Sequence, residues 1–132
     1  MHADEAAIRN VLEQWVQATR DGRQEEVLAN HQDDLVLFDV LSPLQYTSAA
    51  QYRASWDSWQ PEVQGALQFA LHDLSVRAGV DVGYAFGLLQ CGGTLPDGQT
   101  FGDTVRITFC LLKCDGQWKV AHQHVSKPVE RR

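Results

Sequence analysis

The amino-acid sequence predicts an α+β fold: three N-terminal helices packed against a strongly curved, mostly antiparallel sheet, together forming a cone with one open end. Three observations predict it. Apolar residues recur at helical spacing in the first part of the chain, as in Ile8, Val11, Leu12, Trp15, Val16 and Thr19. Beyond Pro61 the period changes to two, as in Leu67, Phe69 and Leu71 and again in Val82, Tyr84, Phe86 and Leu88. Turn signals then separate runs of strand length, which join in a meander. Helices first and an antiparallel sheet afterwards is an α+β order.

Each element has its own signal. Asp4 is placed to cap the first helix, and Asp21-Gly22 stops it, Gly22 being free to take positive φ. A short second helix is predicted over roughly Gln24 to Asn30, burying Val27 and Leu28. His31-Gln32-Asp33-Asp34 reads as a polar connection. Leu35-Val36-Leu37-Phe38 is a β-prone strand that ends at Asp39. Pro43 breaks the ladder. Ser48 and Gln51 have capping-box spacing and open a third helix with Tyr52, Trp56 and Trp59 along one face, closed by Pro61. The phase slip at His72-Asp73 predicts a bulge. Ala78-Gly79-Val80-Asp81 is a turn, and the glycines and Pro96 between Cys91 and Gly98 predict a loop. Phe101 to Lys113 alternates, Asp115-Gly116 is a hairpin turn, and Trp118 to Ser126 is the last strand. The domain is therefore expected over 1–126, with a charged, frayed tail over 127–132.

Bulk properties narrow the function. A chain of 132 residues suits one domain with one core. Net charge is −6 and the basic residues form no stripe, so neither nucleic acid nor an anionic membrane is expected as a partner. Cys91, Cys110 and Cys114 are odd in number and lack C-x-x-C spacing. They read as reduced thiols of a cytoplasmic protein, not as a disulfide frame or zinc site. The start Met-His-Ala-Asp-Glu is not that of a signal peptide, and no apolar run approaches membrane length.

Four segments resemble the nuclear transport factor 2-like superfamily, nearest to ketosteroid isomerases, SnoaL-like polyketide cyclases and the association domain of calcium/calmodulin-dependent kinase II. They are Trp15-Val16-Gln17-Ala18 followed by Asp21-Gly22; Asp33 to Asp39; Val105-Arg106-Ile107-Thr108; and the closing hairpin Asp115 to Ser126. The resemblance covers nearly the whole chain and implies the cone. The superfamily mixes enzymes with non-enzymatic binders, so fold alone does not settle activity. Ketosteroid isomerases use an Asp general base, with a Tyr and a protonated Asp as oxyanion hole. By resemblance the base falls on Asp39, the protonated acid on Asp103 and the Tyr position on Trp15. An indole N–H donates a hydrogen bond but cannot act as an acid, which argues against steroid isomerisation.

The residues themselves leave alternatives open. Asp39 follows an apolar run, where a carboxylate is costly unless it faces a cavity or a partner; it also suits strand-end capping. Asp103 shares strand parity with Val105, Ile107 and Phe109, the more apolar face, which puts Arg106 outside; a reversed phase would turn Arg106 into the pocket. His122 and His124 share a face, roughly 7 Å apart, suiting either a two-histidine metal site with His72 as third ligand or a sheet-to-sheet dimer contact. The second is favoured, so neither a metal nor another cofactor is expected. Gln123 lies opposite them, in position to hydrogen-bond a ligand. Trp15, Tyr52 and Trp56 line the expected pocket.

Two functions follow. One is a cofactor-independent acid–base enzyme of isomerase, cyclase or dehydratase type acting on a small apolar carbonyl compound, with epoxide hydrolysis as a variant. The other is a non-catalytic ligand-binding or oligomerisation module similar to the kinase association domain. Convergence of Asp39, Asp103 and Gln123 favours the first; a pocket filled by Trp15 and Trp56 favours the second. A homodimer is expected through the outer sheet face, with Trp118, Val120, His122 and His124 on it.

Overall fold

The computed structural model describes residues 2–59 and 64–130, without the side chains of 57–59 and 64–66. The order is α1 (His2–Arg20), α2 (Gln24–Val27), β1 (His31–Phe38), α3 (Ala49–Trp59), β2 (Gln64–Ala78), β3 (Val82–Thr94), β4 (Thr100–Cys114) and β5 (Gln117–Ser126). The strands form one curled sheet in the order β1-β5-β4-β3-β2. Only the β1–β5 pair is parallel. A parallel pair needs a crossover; here β1 comes from the helical part of the chain and joins the edge of a four-strand meander.

The core lies between the helices and the concave face. Ile8, Leu12, Trp15 and Val16 of α1 pack with Leu35 and Leu37 of β1, Ala85 and Leu89 of β3, Val105, Ile107, Phe109 and Leu111 of β4, and Trp118 and Val120 of β5. The alternation of β4 therefore has the first phase considered: Val105, Ile107 and Phe109 point inward. Arg106 is outside, its guanidinium donating to Ser126 Oγ at 3.1 Å. On β2, Asp73 takes φ 55° and an extra residue intervenes between the His72 and Ser75 pairings, the expected bulge. Beside it Arg9 of α1 donates to the Leu74 carbonyl, and Arg20 donates to that of Phe69, both at 2.9 Å. These bonds fasten α1 along β2.

Several boundaries differ from the sequence expectation. Helix α1 already runs at His2, so Asp4 is no cap; its carboxylate accepts from Lys113 Nζ (3.0 Å) and Trp118 Nε1 (3.1 Å) across the core edge. Helix α2 is a single turn. Strand β1 begins at His31 rather than Leu35. Strand β3 continues through Gly92 and Gly93 to Thr94, so the loop is shorter than expected. At Gly92 a Cβ would stand 2.3 Å from the Phe101 carbonyl oxygen, so the glycine serves close strand approach and not a turn. At α3, Ser48 Oγ accepts from the Gln51 N–H (3.0 Å), while Gln51 Oε1 accepts from the Thr47 N–H (2.8 Å), one residue before the expected partner. The Trp59 side chain and Pro61 lie outside the described residues.

The largest correction concerns β5. Cys110 pairs with His122 but Leu111 pairs with Val120, leaving Ala121 as an extra residue. A bulge flips the facing of everything beyond it. Trp118 (3% exposed) and Val120 (0%) are consequently core residues, whereas His122 and His124 are on the outer face. The four do not share a face.

Candidate functional site

Asp39 stands just past the end of β1, where the chain turns back. Leu37 and Tyr46 exchange both backbone hydrogen bonds at 2.9 Å, which closes residues 38–45 into a loop beside the sheet. A cleft of about 370 Å³ opens there, lined by Asp39, Val40, Val125, Ser126, Lys127 and Pro128. Asp39 accepts from its neighbour's N–H, Val40, at 2.7 Å, and takes part in no ion pair among the described residues. Burial pushes its carboxyl above the ordinary carboxylate range, and the Val40 bond only partly opposes this.

An aromatic wall stands beside Asp39. Tyr46 meets Tyr52 edge-on with ring centroids 5.1 Å apart, and Tyr52 meets Trp56 at 5.3 Å. Burial pushes the Tyr52 phenol upward and the Asp39 charge adds to it, so Tyr52 keeps its proton at all physiological pH. The Cys91 thiol is also held up, first by burial and then by the charges of Asp103 and Asp39. Tyr52 and Cys91 therefore both feel the charge of Asp39.

Asp103 does not fit the role of a buried, protonated acid. It is exposed and ion-paired with Lys127 Nζ, which holds its carboxyl below the usual range. The reason is tertiary: Lys127, expected in a frayed tail, folds back onto the first residues of β4. Trp15 and Gln123 lie deeper. Trp15 packs edge-on against Phe69 (5.1 Å) and Phe109 (5.4 Å) in the core. Gln123 is buried, and its Oε1 accepts from His31 Nε2 at 3.1 Å. Of the expected group, then, Asp39 lines the cleft, Tyr52 is near enough to feel its charge and packs on Trp56, Trp15 and Gln123 occupy the interior, and Asp103 turns to solvent.

His31, which reads in the sequence as part of a polar connection, opens β1 and is buried; the ladder is irregular between His31 and Val36 and Asp33 at the same parity is exposed, so alternation does not mark His31 as inward. His122 and His124 make no metal site. His122 Nδ1 donates to the Val36 carbonyl at 2.7 Å, Phe38 packs edge-on to both imidazoles, and His72 bonds Gln90 instead. The described residues contain no group of three His, Cys, Asp or Glu that could hold a metal ion. All three cysteines are free. No described helix is long and apolar enough to cross a membrane.

A family model, the SnoaL-like domain, matches residues 8–130. The chain belongs to the SnoaL-like family. Among solved structures, it is similar to a nuclear transport factor 2-like protein of unknown function from Pseudomonas putida KT2440, with 33% identity and a TM-score of 0.87 over 98% of this chain and 90% of that one. A ketosteroid isomerase-like protein from Erwinia carotovora atroseptica SCRI1043 matches at 18% identity and a TM-score of 0.79, over 98% of this chain and 100% of that one. The association domain of the C. elegans calcium/calmodulin-dependent kinase II matches at 14% identity and 0.77, over 96% and 97%. The last two share the fold with this SnoaL-like domain. No curated protein matches the chain.

Proposed function

We propose that this SnoaL-like domain binds a small, mostly apolar carbonyl compound at the mouth of its cone and moves a proton on it. The observation that supports this most is Asp39: a half-buried carboxylate beside Tyr52, in no ion pair among the described residues, its charged form disfavoured. That environment makes a carboxylate a better proton acceptor at neutral pH. Asp39 would remove a proton from the carbon next to the carbonyl. The C–H electron pair would move to the carbonyl oxygen as an enolate, and the proton would then return to carbon. Tyr52, which keeps its phenol proton, takes the oxyanion-donor role that the family resemblance had given to Asp103. Trp56 supplies apolar surface, and no cofactor takes part.

The test is hydrogen–deuterium exchange next to the carbonyl of a small cyclic ketone such as cyclopentanone, followed by NMR in D₂O. Exchange catalysed by the native protein and abolished in Asp39→Asn is the expected result. Exchange that is absent, or unchanged in the variant, removes the catalytic reading.

A second reading has its own support. Trp15 and Trp56, 6% and 8% exposed, fill interior space, Asp103 is exposed and ion-paired, and Gln123 is buried against His31. A non-catalytic binding or assembly module would look the same. The outer face suits assembly: Val82, Tyr84, Phe86 and Leu88 of β3 are all exposed there, with the rings of Tyr84 and Phe86 stacked at 6.2 Å. We propose that a second copy of the chain covers this face, centred on β3 rather than on Trp118 and Val120, because an apolar strip of this kind is rarely left in water. Sedimentation should give a dimer, and Tyr84→Lys a monomer. A native monomer at micromolar concentration ends the proposal.

A further inference from the structure

Away from the mouth, α1 and α2 enclose a second cleft of about 390 Å³. Its apolar side is Val11, Trp15, Ala18 and Val27. Its polar side is carried by carboxamides and by Arg23 and Glu26, which pair with each other and so cancel in charge. His31 lies at its inner end. This imidazole is 5% exposed, and its Nδ1 is the only buried side-chain nitrogen or oxygen without a hydrogen-bond partner among the described residues.

The chemistry of that atom follows from its ring partner. Nε2 faces Gln123 Oε1, an acceptor, so Nε2 carries the proton and donates. Nδ1 is left with a lone pair. Burial holds the ring neutral by pulling its pKa to about 4, so this tautomer persists at neutral pH. A buried acceptor without a donor is costly, and native structures rarely tolerate one. The lining offers no net charge to a ligand, half of it is apolar, and its inner end needs one donor. Within the lining, Asn30 Nδ2 donates to Gln14 Oε1 at 3.3 Å.

We propose that the α1–α2 cleft is a binding site for a small neutral hydroxyl compound, an alcohol or phenol, whose O–H donates to His31 Nδ1 while its apolar part rests on Val11, Trp15 and Val27. The site is separate from the Asp39 mouth and stands or falls independently of proton transfer there. A charged ligand is disfavoured because Arg23 and Glu26 already neutralise one another and because a cation at Nδ1 would have to shed its water against apolar walls.

The probe is phenol, with anisole as the control that keeps the ring and loses the O–H. Imidazole ¹⁵N correlation spectra of the intact protein report His31 directly. Phenol should saturate and move the Nδ1 resonance upfield, and anisole should bind about tenfold more weakly without moving it, that being roughly the worth of one buried hydrogen bond. His31→Phe would remove the effect but also disturbs the core. Ala29→Trp is the second variant: Ala29 is exposed and lines the cleft, so a bulky side chain there should block phenol at Nδ1 and leave the resonances of Asp39 and Tyr52 unchanged. Equal affinity for phenol and anisole overturns the proposal. So does phenol that shifts only the mouth residues, an Nδ1 already hydrogen-bonded and unmoved by phenol, or Ala29→Trp binding phenol as well as the native protein.

Discussion

Asp39 and Asp103 are both carboxylates at strand termini at the same end of the cone, and their surroundings drive them in opposite directions. Asp39 is half-buried beside Tyr52 and pushed toward its neutral form. Asp103 is exposed, bonded to Lys127 and held in its charged form. The difference does not lie in the residue or its distance from a strand end. It lies in what crosses over each: a loop and an aromatic wall over Asp39, a lysine over Asp103. A proton acceptor needs the first environment, and a solvent-facing ion pair is all the second can support.

The sharpest way to break this contrast is to remove each charge in turn. In the ketone exchange assay, Asp39→Asn should lose about a hundredfold or more, the scale of a general base. Asp103→Asn should stay within about twofold, since its carboxyl is already neutralised by Lys127. Equal losses would put both carboxylates in one site and reverse the reading of Asp103.

His31 extends the comparison to a group buried without any charge nearby in its favour. Its pKa falls from 6.5 to about 4, because burial disfavours the imidazolium and the Gln123 bond only partly offsets this. A depressed pKa means that the stability tied to the neutral ring is fully present above 6.5 and is lost as pH falls through about 4. The loss should be on the order of 3 kcal/mol across that window. Urea unfolding at several pH values measures it, and a His31→Gln variant should show a flatter profile. Were the native profile flat over this range, His31 would have to be solvated, and the acceptor role of Nδ1 would go with it.

Asp39 has the opposite sign. Its pKa is raised, so its contribution to stability is present below the unfolded carboxylate value and is lost as pH rises through the folded one. Asp39→Asn should therefore melt higher than the native protein at pH 7 and show little gain at low pH. Melting curves at the two pH values, with NMR titration of the carboxyl, test this. An Asn variant destabilised at pH 7, with the native carboxyl titrating low, would make Asp39 a capping residue, the alternative that its position before Ser42-Pro43 had left open.

What the sequence disclosed and what it hid divide along the same line. The apolar run Leu35 to Phe38 announces a strand whose next residue has left the core, so the strand end before Asp39 was legible from local pattern alone. The alternation of Val105, Ile107 and Phe109 set the phase of β4 correctly for the same reason. Asp103 was misread because its partner is Lys127, twenty-four positions away, and nothing local says that the tail folds back. His31 was misread because Gln32-Asp33-Asp34 is polar enough to look like a connection, although β1 tolerates those residues on exposed positions. Trp118 and Val120 went to the wrong face because one extra residue, Ala121, breaks an alternation that looked continuous. Pattern reports burial where neighbours in sequence decide it, and fails where a partner strand or a distant charge does.

The smallest expected effect is the one that ties the two carboxylates together. Lys127 bonds Asp103, yet it also lines the cleft that Asp39 lines. The Lys127–Asp103 pair is exposed on both sides, and exposed pairs hold weakly. In Asp103→Asn the ammonium loses its carboxylate while Asp39 remains in the same cleft. Lys127 should then spend part of its time near Asp39, favouring the charged form and lowering its pKa. Solvent and salt keep such an effect small, and raising the ionic strength should erase it. NMR titration of the Asp39 carboxyl in the native and Asp103→Asn proteins, at low and high salt, reads the shift directly. A downward shift that salt removes means that one mobile cation chooses between two acids, and that Asp39 keeps its raised pKa partly because Asp103 holds that cation away. No shift at low salt would mean that burial alone sets Asp39, and that the two carboxylates are neighbours without being coupled.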